Sequence, residues 1–96
     1  MPQVRYAQGA IRDLQRLREF LRPKNPVVAQ RAADTIIKAI QVLGQQPQMG
    51  RPVDEMPDEY RELPINFGDS GYIARYCYDG QTAVIVAVRH QKEVGY

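Results

Sequence analysis

A single cysteine (Cys77), a single histidine (His90) and a single serine (Ser70) limit the chemistry open to this 96-residue chain. One cysteine excludes an internal disulfide and a cysteine-based zinc site, and it suits a reducing compartment, so the cytoplasm is the expected location. One His and one Cys, with no carboxylates at ligand spacing, leave no metal constellation, and no cofactor is expected. A Ser-His-Asp arrangement would have to recruit Ser70, which sits in a hairpin tip without signals of an oxyanion hole. Cys77 lies in a strand pattern and reads as a small buried residue, not a nucleophile. The seven glycines fall at turns and helix ends, and none builds a phosphate-binding loop. The longest apolar run, Ala83 to Val88, is far too short to span a bilayer, so no membrane partner is expected. The N-terminal segment has no apolar stretch of signal-peptide length, and export is not expected. Lysine is scarce, with only Lys24, Lys38 and Lys92.

What is present is an ordinary globular composition, 44% hydrophobic and 25% charged. It is read as one domain over residues 1–96, short enough to bury only about 60–65% of its unfolded surface. The formal charge of +2 conceals a division: residues 1–51 carry nine Lys and Arg against three Asp and Glu, and residues 52–96 carry four against eight. A basic half suits nucleic acid or an acidic protein, but the same arginines can simply solvate the outer faces of two helices. Direct sequence-specific binding of nucleic acid by this chain alone is not expected.

Periodicity lays out the elements. Val4 and Tyr6 alternate in a short first strand over Gln3 to Tyr6. Ala7, Ala10, Ile11, Leu14, Leu17 and Leu21 then recur at helical spacing until Pro23 stops the helix. Asn25-Pro26 restarts one, as N-cap and first helical residue. Its stripe of Ala29, Ala32, Ala33, Ile36, Ile40 and Leu43 closes at Gly44, with Pro47 beyond. So short a connection forces an αα-hairpin. Residues 45–58, with three prolines and Gly50, read as a surface loop. Leu63, Ile65 and Phe67 alternate in a strand that Pro64 marks with an edge or a bulge. Gly68 to Gly71 is a hairpin loop, and Tyr72 to Tyr78 a strand with Tyr72, Ala74, Tyr76 and Tyr78 on one face, partly open to solvent. Asp79-Gly80 is a strong hairpin signal. Thr82 to Val88 reads as a strand covered on both faces or central in the sheet, and the remainder as a polar tail. The expected fold is α+β, β-α-α-β-β-β, with the helical hairpin packed on a mostly antiparallel sheet.

The chemistry-bearing residues that stand out are Arg61, Arg75, Arg89, His90 and Tyr96. Arg61 shares the parity of Leu63 and Ile65, so it ends an apolar face, and Arg89-His90 follow the buried last strand. Neighbouring strands are expected to gather them into one cationic cluster. Such a cluster suits phosphate binding or charge stabilisation, with His90 or Tyr96 exchanging protons. The plainer reading is that Arg61 pairs with Glu59 or Glu93 and that His90 is a surface residue.

An ordered set of residues resembles the RelE/ParE superfamily of small toxins from type II toxin–antitoxin systems. It comprises Asp13-Leu14, Asn25-Pro26 with Ala29 and Ala32-Ala33, Leu43 with Pro47, and Gly50-Arg51-Pro52-Val53. It continues with Arg61-Glu62-Leu63, Gly71-Tyr72, Arg75-Tyr76, Val88 to Gln91 and Glu93 to Tyr96. No single piece is specific, but together they run through almost the whole chain. The resemblance implies a helical hairpin on an antiparallel sheet, growth arrest, plasmid stabilisation and a cognate antitoxin as partner.

Within the superfamily, ParE-like members inhibit DNA gyrase and RelE-like members cleave mRNA on the ribosome. The long hairpin, the Gly-Arg-Pro loop and the Arg-His-Gln…Gly-Tyr tail resemble the ParE branch. The acidic balance of the sheet-bearing half also suits a protein target better than ribosomal phosphates. On this reading Arg61, Arg75, Arg89 and His90 contact the target. On the ribonuclease reading, Arg61, Arg89, His90 and Tyr96 form the catalytic set. Phe20, Val27, Val28, Ile37 and Val42 lie off or at the edge of the two core stripes, and the antitoxin is expected to cover them.

Overall fold

Three residues set how the two helices are joined. Proline at 23 cannot continue the first helix, and the Asn25 side chain accepts hydrogen bonds from the backbone N–H groups of Val27 (3.1 Å) and Val28 (3.2 Å), opening the second with Pro26 in its first turn. The structure is a computed structural model and describes residues 3–92. In chain order it contains β1 (Gln3–Tyr6), α1 (Gln8–Leu21), α2 (Pro26–Gln41), a 3₁₀ turn (Val42–Gly44), β2 (Arg51–Pro52), β3 (Tyr60–Phe67), β4 (Ser70–Tyr78) and β5 (Thr82–His90). The second helix therefore tightens into a 3₁₀ turn after Gln41, where a glycine C-cap at Gly44 was expected.

The strands form one sheet in the order β1-β5-β4-β3-β2. β1 runs parallel to β5 and the other pairs are antiparallel, so the sheet is mixed. A two-residue strand, Arg51–Pro52, forms inside the segment read as loop and pairs with Glu62 and Arg61. Leu63 onward then lies on the open edge of β3. The bond from Tyr78 N–H to the Glu59 carbonyl fixes which β3 residues face β4. By antiparallel alternation Pro64 faces outward, where a missing N–H breaks no ladder bond. The edge explains Pro64; the one register shift against β5 lies elsewhere, between Arg75 and Tyr76.

That shift governs the last strand. Tyr76 opposes Ile85 and Arg75 opposes Ala87, which leaves Val86 as the extra residue. Ile85 and Val88 can therefore both turn to the helices and be fully buried, although three positions separate them. The near-continuous apolar run thus comes from a bulged strand one place in from the sheet edge. Its other face, with Val84, Val86 and Ala87, is half-buried.

Helices cover one face of the sheet, α1 over β5 and α2 over β3. The core consists of Ala10 and Leu17 from α1, Ala32, Ile36 and Ile40 from α2, Leu43, and the inward positions of β3, β4 and β5. Tyr72 and Tyr76 are 3% and 0% exposed, so the tyrosine-bearing face expected to be partly open is the one buried under the helices. A strand rich in tyrosine reads as amphipathic, but the aromatic ring can be buried whole once its hydroxyl has a partner.

Candidate functional site

Each cationic candidate has a place fixed by strand register, and the register separates them. Arg61 is opposite Tyr76 near one end of β4, whereas Arg89 and His90 are opposite Ile73 and Tyr72 near the other. At about 3.4 Å per residue, the three positions between Tyr76 and Ile73 put roughly 10 Å of strand between them. The single cationic cluster expected from the sequence does not assemble, because antiparallel pairing carries the end of β5 back to the beginning of β4.

Arg61 turns toward the helix-covered side and holds the preceding loop. Its guanidinium donates to the Gly50 carbonyl (2.7 Å) and the Gln48 carbonyl (3.3 Å). Beside it the Tyr76 hydroxyl donates to the Pro47 carbonyl (2.7 Å) and accepts from Gly50 N–H (2.9 Å). Burial pushes the Tyr76 hydroxyl above its ordinary pKa, against the lowering effect of the Gly50 N–H and the Arg61 charge. Only glycine fits at position 50, since a Cβ would stand 2.7 Å from the Tyr76 ring and 2.8 Å from the Glu62 carbonyl oxygen. This end of the sheet is a closed polar pin that fastens residues 47–50 to β3 and β4.

Arg75 lies on the sheet face away from the helices, in an ion pair with Glu62 at 2.9 Å, and Arg51 approaches the same carboxylate at 3.8 Å. Arg89 reaches around the outer edge of β5 to pair with Asp13 of α1. The same carboxylate accepts from Val88 N–H at 3.0 Å, an edge group left over because β1 ends at Tyr6 and turns directly into α1. Asp13 thus acts as a latch between helix and strand. Arg61, Arg75 and Arg89 all have interactions inside the fold.

His90 is different. Its Nδ1 accepts from Lys92 N–H (3.2 Å), so the ring proton resides on Nε2, which donates to Ser70 Oγ (3.0 Å). The polarity is opposite to that of an activated serine, in which Nε2 must accept the hydroxyl proton. The ring meets Tyr72 edge to face at 5.3 Å. Together they border a groove of about 430 Å³ between the C-terminal half of α1 and the end of β5. Leu17, Phe20 and Leu21 line its helical side, and Arg16 and Lys92 add positive charge. Tyr96 lies outside the described residues.

Of the apolar surface candidates, Phe20 and Val27 are the most open, at 63% and 67% exposure, with Val42 less so and Val28 and Ile37 half-buried. Ile11 and Met49 are exposed as well. Lys24 Nζ sits 4.0 Å above the Phe20 ring, a cation–π contact. Only Phe20 of the five belongs to the groove. Sequence reasoning missed Arg16 and Lys92 as its members; the facing of Tyr72 and His90 was the one available signal, and it requires the register. Cys77 has its thiol pushed up, by burial first and then by Glu59 and Asp79, which disfavours a thiolate nucleophile. Among the described residues no three metal-ligating side chains converge, and no helix is long and apolar enough to cross a membrane.

A family model described as the ParE toxin of the type II toxin–antitoxin system parDE matches residues 4–95. The chain belongs to the ParE toxin family. It is 34% identical over 93 residues to the toxin RelE3 of Caulobacter vibrioides, covering 97% of this chain and 98% of that one. Its fold is similar to a structure of the chromosomal ParDE system of P. aeruginosa, at a TM-score of 0.77 and 18% identity over 94% of this chain and 96% of the other. It is also similar to a chain of the RelBE2 toxin–antitoxin complex of Mycobacterium tuberculosis, at a TM-score of 0.67 and 24% identity over 95% of this chain and all of the other. The protein is thus a type II toxin of the ParE/RelE superfamily, with the α+β fold expected from its sequence.

Proposed function

We propose that this ParE-family toxin arrests growth in the cytoplasm by inhibiting DNA gyrase and is held silent by a cognate antitoxin. The observation that carries the choice of target is the separation of Arg61 from Arg89 and His90, the three described residues of the candidate ribonuclease set. Cleavage of RNA by its own 2′-hydroxyl needs a base, an acid and cationic charge around one phosphate. Here Arg61 holds loop carbonyls at one end of the sheet, Arg89 pairs with Asp13 at the other, and His90 has both ring nitrogens in hydrogen bonds. The match to a ParE family model supports the same target, and the toxin–antitoxin complexes among the structural neighbours support an antitoxin partner.

The name of the Caulobacter relative, RelE3, favours a second reading as a ribosome-dependent mRNA endoribonuclease. Purified toxin added to gyrase supercoiling reactions and to a cell-free translation extract separates the two. Loss of supercoiling or accumulation of cleaved DNA complexes, with mRNA intact, is the expected result. Cleavage of mRNA in the ribosomal A site with gyrase unaffected would transfer the assignment.

A further inference from the structure

Cations of the sheet are engaged inside the fold, and those of the helices are not. Arg61 holds loop carbonyls, Arg75 pairs with Glu62, and Arg89 pairs with Asp13. Between residues 12 and 38 the helices and their turn carry seven Lys and Arg against three carboxylates. Of these carboxylates, Asp13 turns inward to Val88 N–H and Arg89, and Asp34 accepts from the Gln30 amide at 3.0 Å. Arg12, Arg18, Arg22, Arg31 and Lys38 are exposed, and among the described residues none of the five meets a carboxylate.

Helical geometry points all five the same way. At about 100° per residue, Arg12, Arg18 and Arg22 fall within an arc of roughly 120° opposite the buried Ala10 and Leu17. Arg31 and Lys38 likewise stand opposite the buried Ala29, Ala32, Ile36 and Ile40. Both helices lie on one face of the sheet, so both arcs look away from it. Two rows of charge result, the one on α1 about 15 Å long at ~1.5 Å per residue. We propose that this outer face of the hairpin contacts the phosphate backbone of duplex DNA, and that the toxin uses it on the DNA held by gyrase. The contact itself is independent of the target, and its use on the enzyme rests on the gyrase reading.

The face suits phosphates better than an acidic protein. A protein partner gains most of its affinity from side chains seated in desolvated pockets. Here the seam between the helices, beside Arg18, holds a cavity of about 30 Å³, room for a water or two and not for an anchoring side chain. Ile11 and Val27 are exposed, but one lies near the start of α1 and the other just past the hairpin turn, so they share no seat. Phosphates need surface charge and no pocket. Four of the five cations are arginines, whose planar fork can bond a phosphate through two N–H groups at once. Such contacts fix position and read no sequence.

The probe is a short labelled duplex of arbitrary sequence, titrated with purified toxin in the absence of gyrase and followed by fluorescence anisotropy. Binding in the ~1–100 μM range is expected, weakening linearly on a log–log plot between about 50 and 200 mM salt. Arg22→Gln with Arg31→Gln, which keeps good helix formers, should weaken binding about tenfold or more and reduce the salt slope by about 1.8. Arg5→Gln with Arg51→Gln removes the same charge from exposed positions outside the hairpin and should change affinity by less than about twofold. Equal thermal melting of the two variants excludes unfolding as the cause. In supercoiling assays the hairpin variant should require about tenfold more toxin, and the control variant no more than wild type.

Wild type that fails to bind duplex, or a hairpin variant that binds as tightly as wild type, would overturn the contact and leave gyrase inhibition standing. Duplex binding that falls as expected, in a toxin that never inhibits gyrase, would support the contact and remove the gyrase reading. A hairpin variant weak on duplex but fully potent on gyrase would overturn the role on the enzyme. Loss of affinity for the antitoxin with duplex affinity unchanged would assign the face to protein and overturn the proposal.

Discussion

Where β3 begins, Tyr76 and Arg61 turn inward onto the carbonyls of Pro47, Gln48 and Gly50; where β5 finishes, Tyr72 and His90 border a groove between α1 and Lys92. Both ends have a tyrosine under the helices and a basic residue one strand away. They differ in what lies above them. At the first end a proline-rich loop folds back and presents carbonyls, so the Tyr76 hydroxyl and the Arg61 guanidinium find their partners inside the fold. At the second, α1 ends at Leu21 and the chain runs off to α2, leaving an apolar floor between cations with nothing in the described residues filling it. Similar side chains therefore fasten a loop at one end and border an open groove at the other.

Substitutions at the closed end should have the largest effect on stability. Gly50→Ala forces a Cβ against the Tyr76 ring and the Glu62 carbonyl and should destabilise by up to about 3 kcal/mol, measured by urea denaturation. Tyr76→Phe leaves Gly50 N–H and the Pro47 carbonyl without their partner and should lose about 2 kcal/mol. A value near zero for both would mean that the loop is not fastened as described.

Arg61→Ala comes next and tests the division between the two ends most directly. It should lower stability by about 1 kcal/mol through the loop carbonyls, while folded protein retains its potency against the target. A specific loss of target inhibition with unchanged melting would return Arg61 to the contact surface. At the open end, Ser70→Ala should cost no more than about 0.5 kcal/mol, since it removes one half-exposed bond at the groove margin. A larger loss would mean that the Ser70–His90 pair is structural.

The smallest expected effect is a pH dependence confined to the closed end. Backbone N–H groups of Thr82 and Gln81 hold the Asp79 carboxyl below its ordinary range in the β4–β5 turn. A folded pKa below the unfolded one gives stability that is present above about pH 4 and lost as pH falls through the folded value. Asp79→Asn keeps an acceptor for the turn and should flatten that acid limb of a stability–pH profile. Tyr76 acts with the opposite sign in alkali. Its raised pKa means stability is intact below about pH 10 and declines as pH rises toward the folded value, and Tyr76→Phe should remove that decline.

Much of the fold was legible because its signals are local. Asn25-Pro26, Pro23 and Asp79-Gly80 act within a few residues of themselves, and the two apolar stripes repeat at helical period. The candidate site was less legible. Arg61 was recognisable by its parity with Leu63 and Ile65, and Arg89 and His90 by their place just after the buried last strand, but their separation was not. A bulge at Val86 changes the parity of β5, and no local pattern in the run from Ala83 to Val88 shows where an extra residue will be accommodated. The two-residue β2 was hidden for a related reason: it pairs only because Arg61 and Tyr76 hold its loop against β3.

By itself, then, the sequence determined the elements, their order, the helical hairpin and the resemblance to the RelE/ParE toxins, because periodicity, capping and turn chemistry act between near neighbours in the chain. Tertiary structure alone decided which basic groups became pins and which border a groove. Asp13 meets Arg89 across 76 positions and Ser70 meets His90 across 20, and such contacts depend on strand register and on where α1 lies over β5. Long-range pairing converts identical residue types into an internal ion pair or an accessible charge according to what the fold places opposite them.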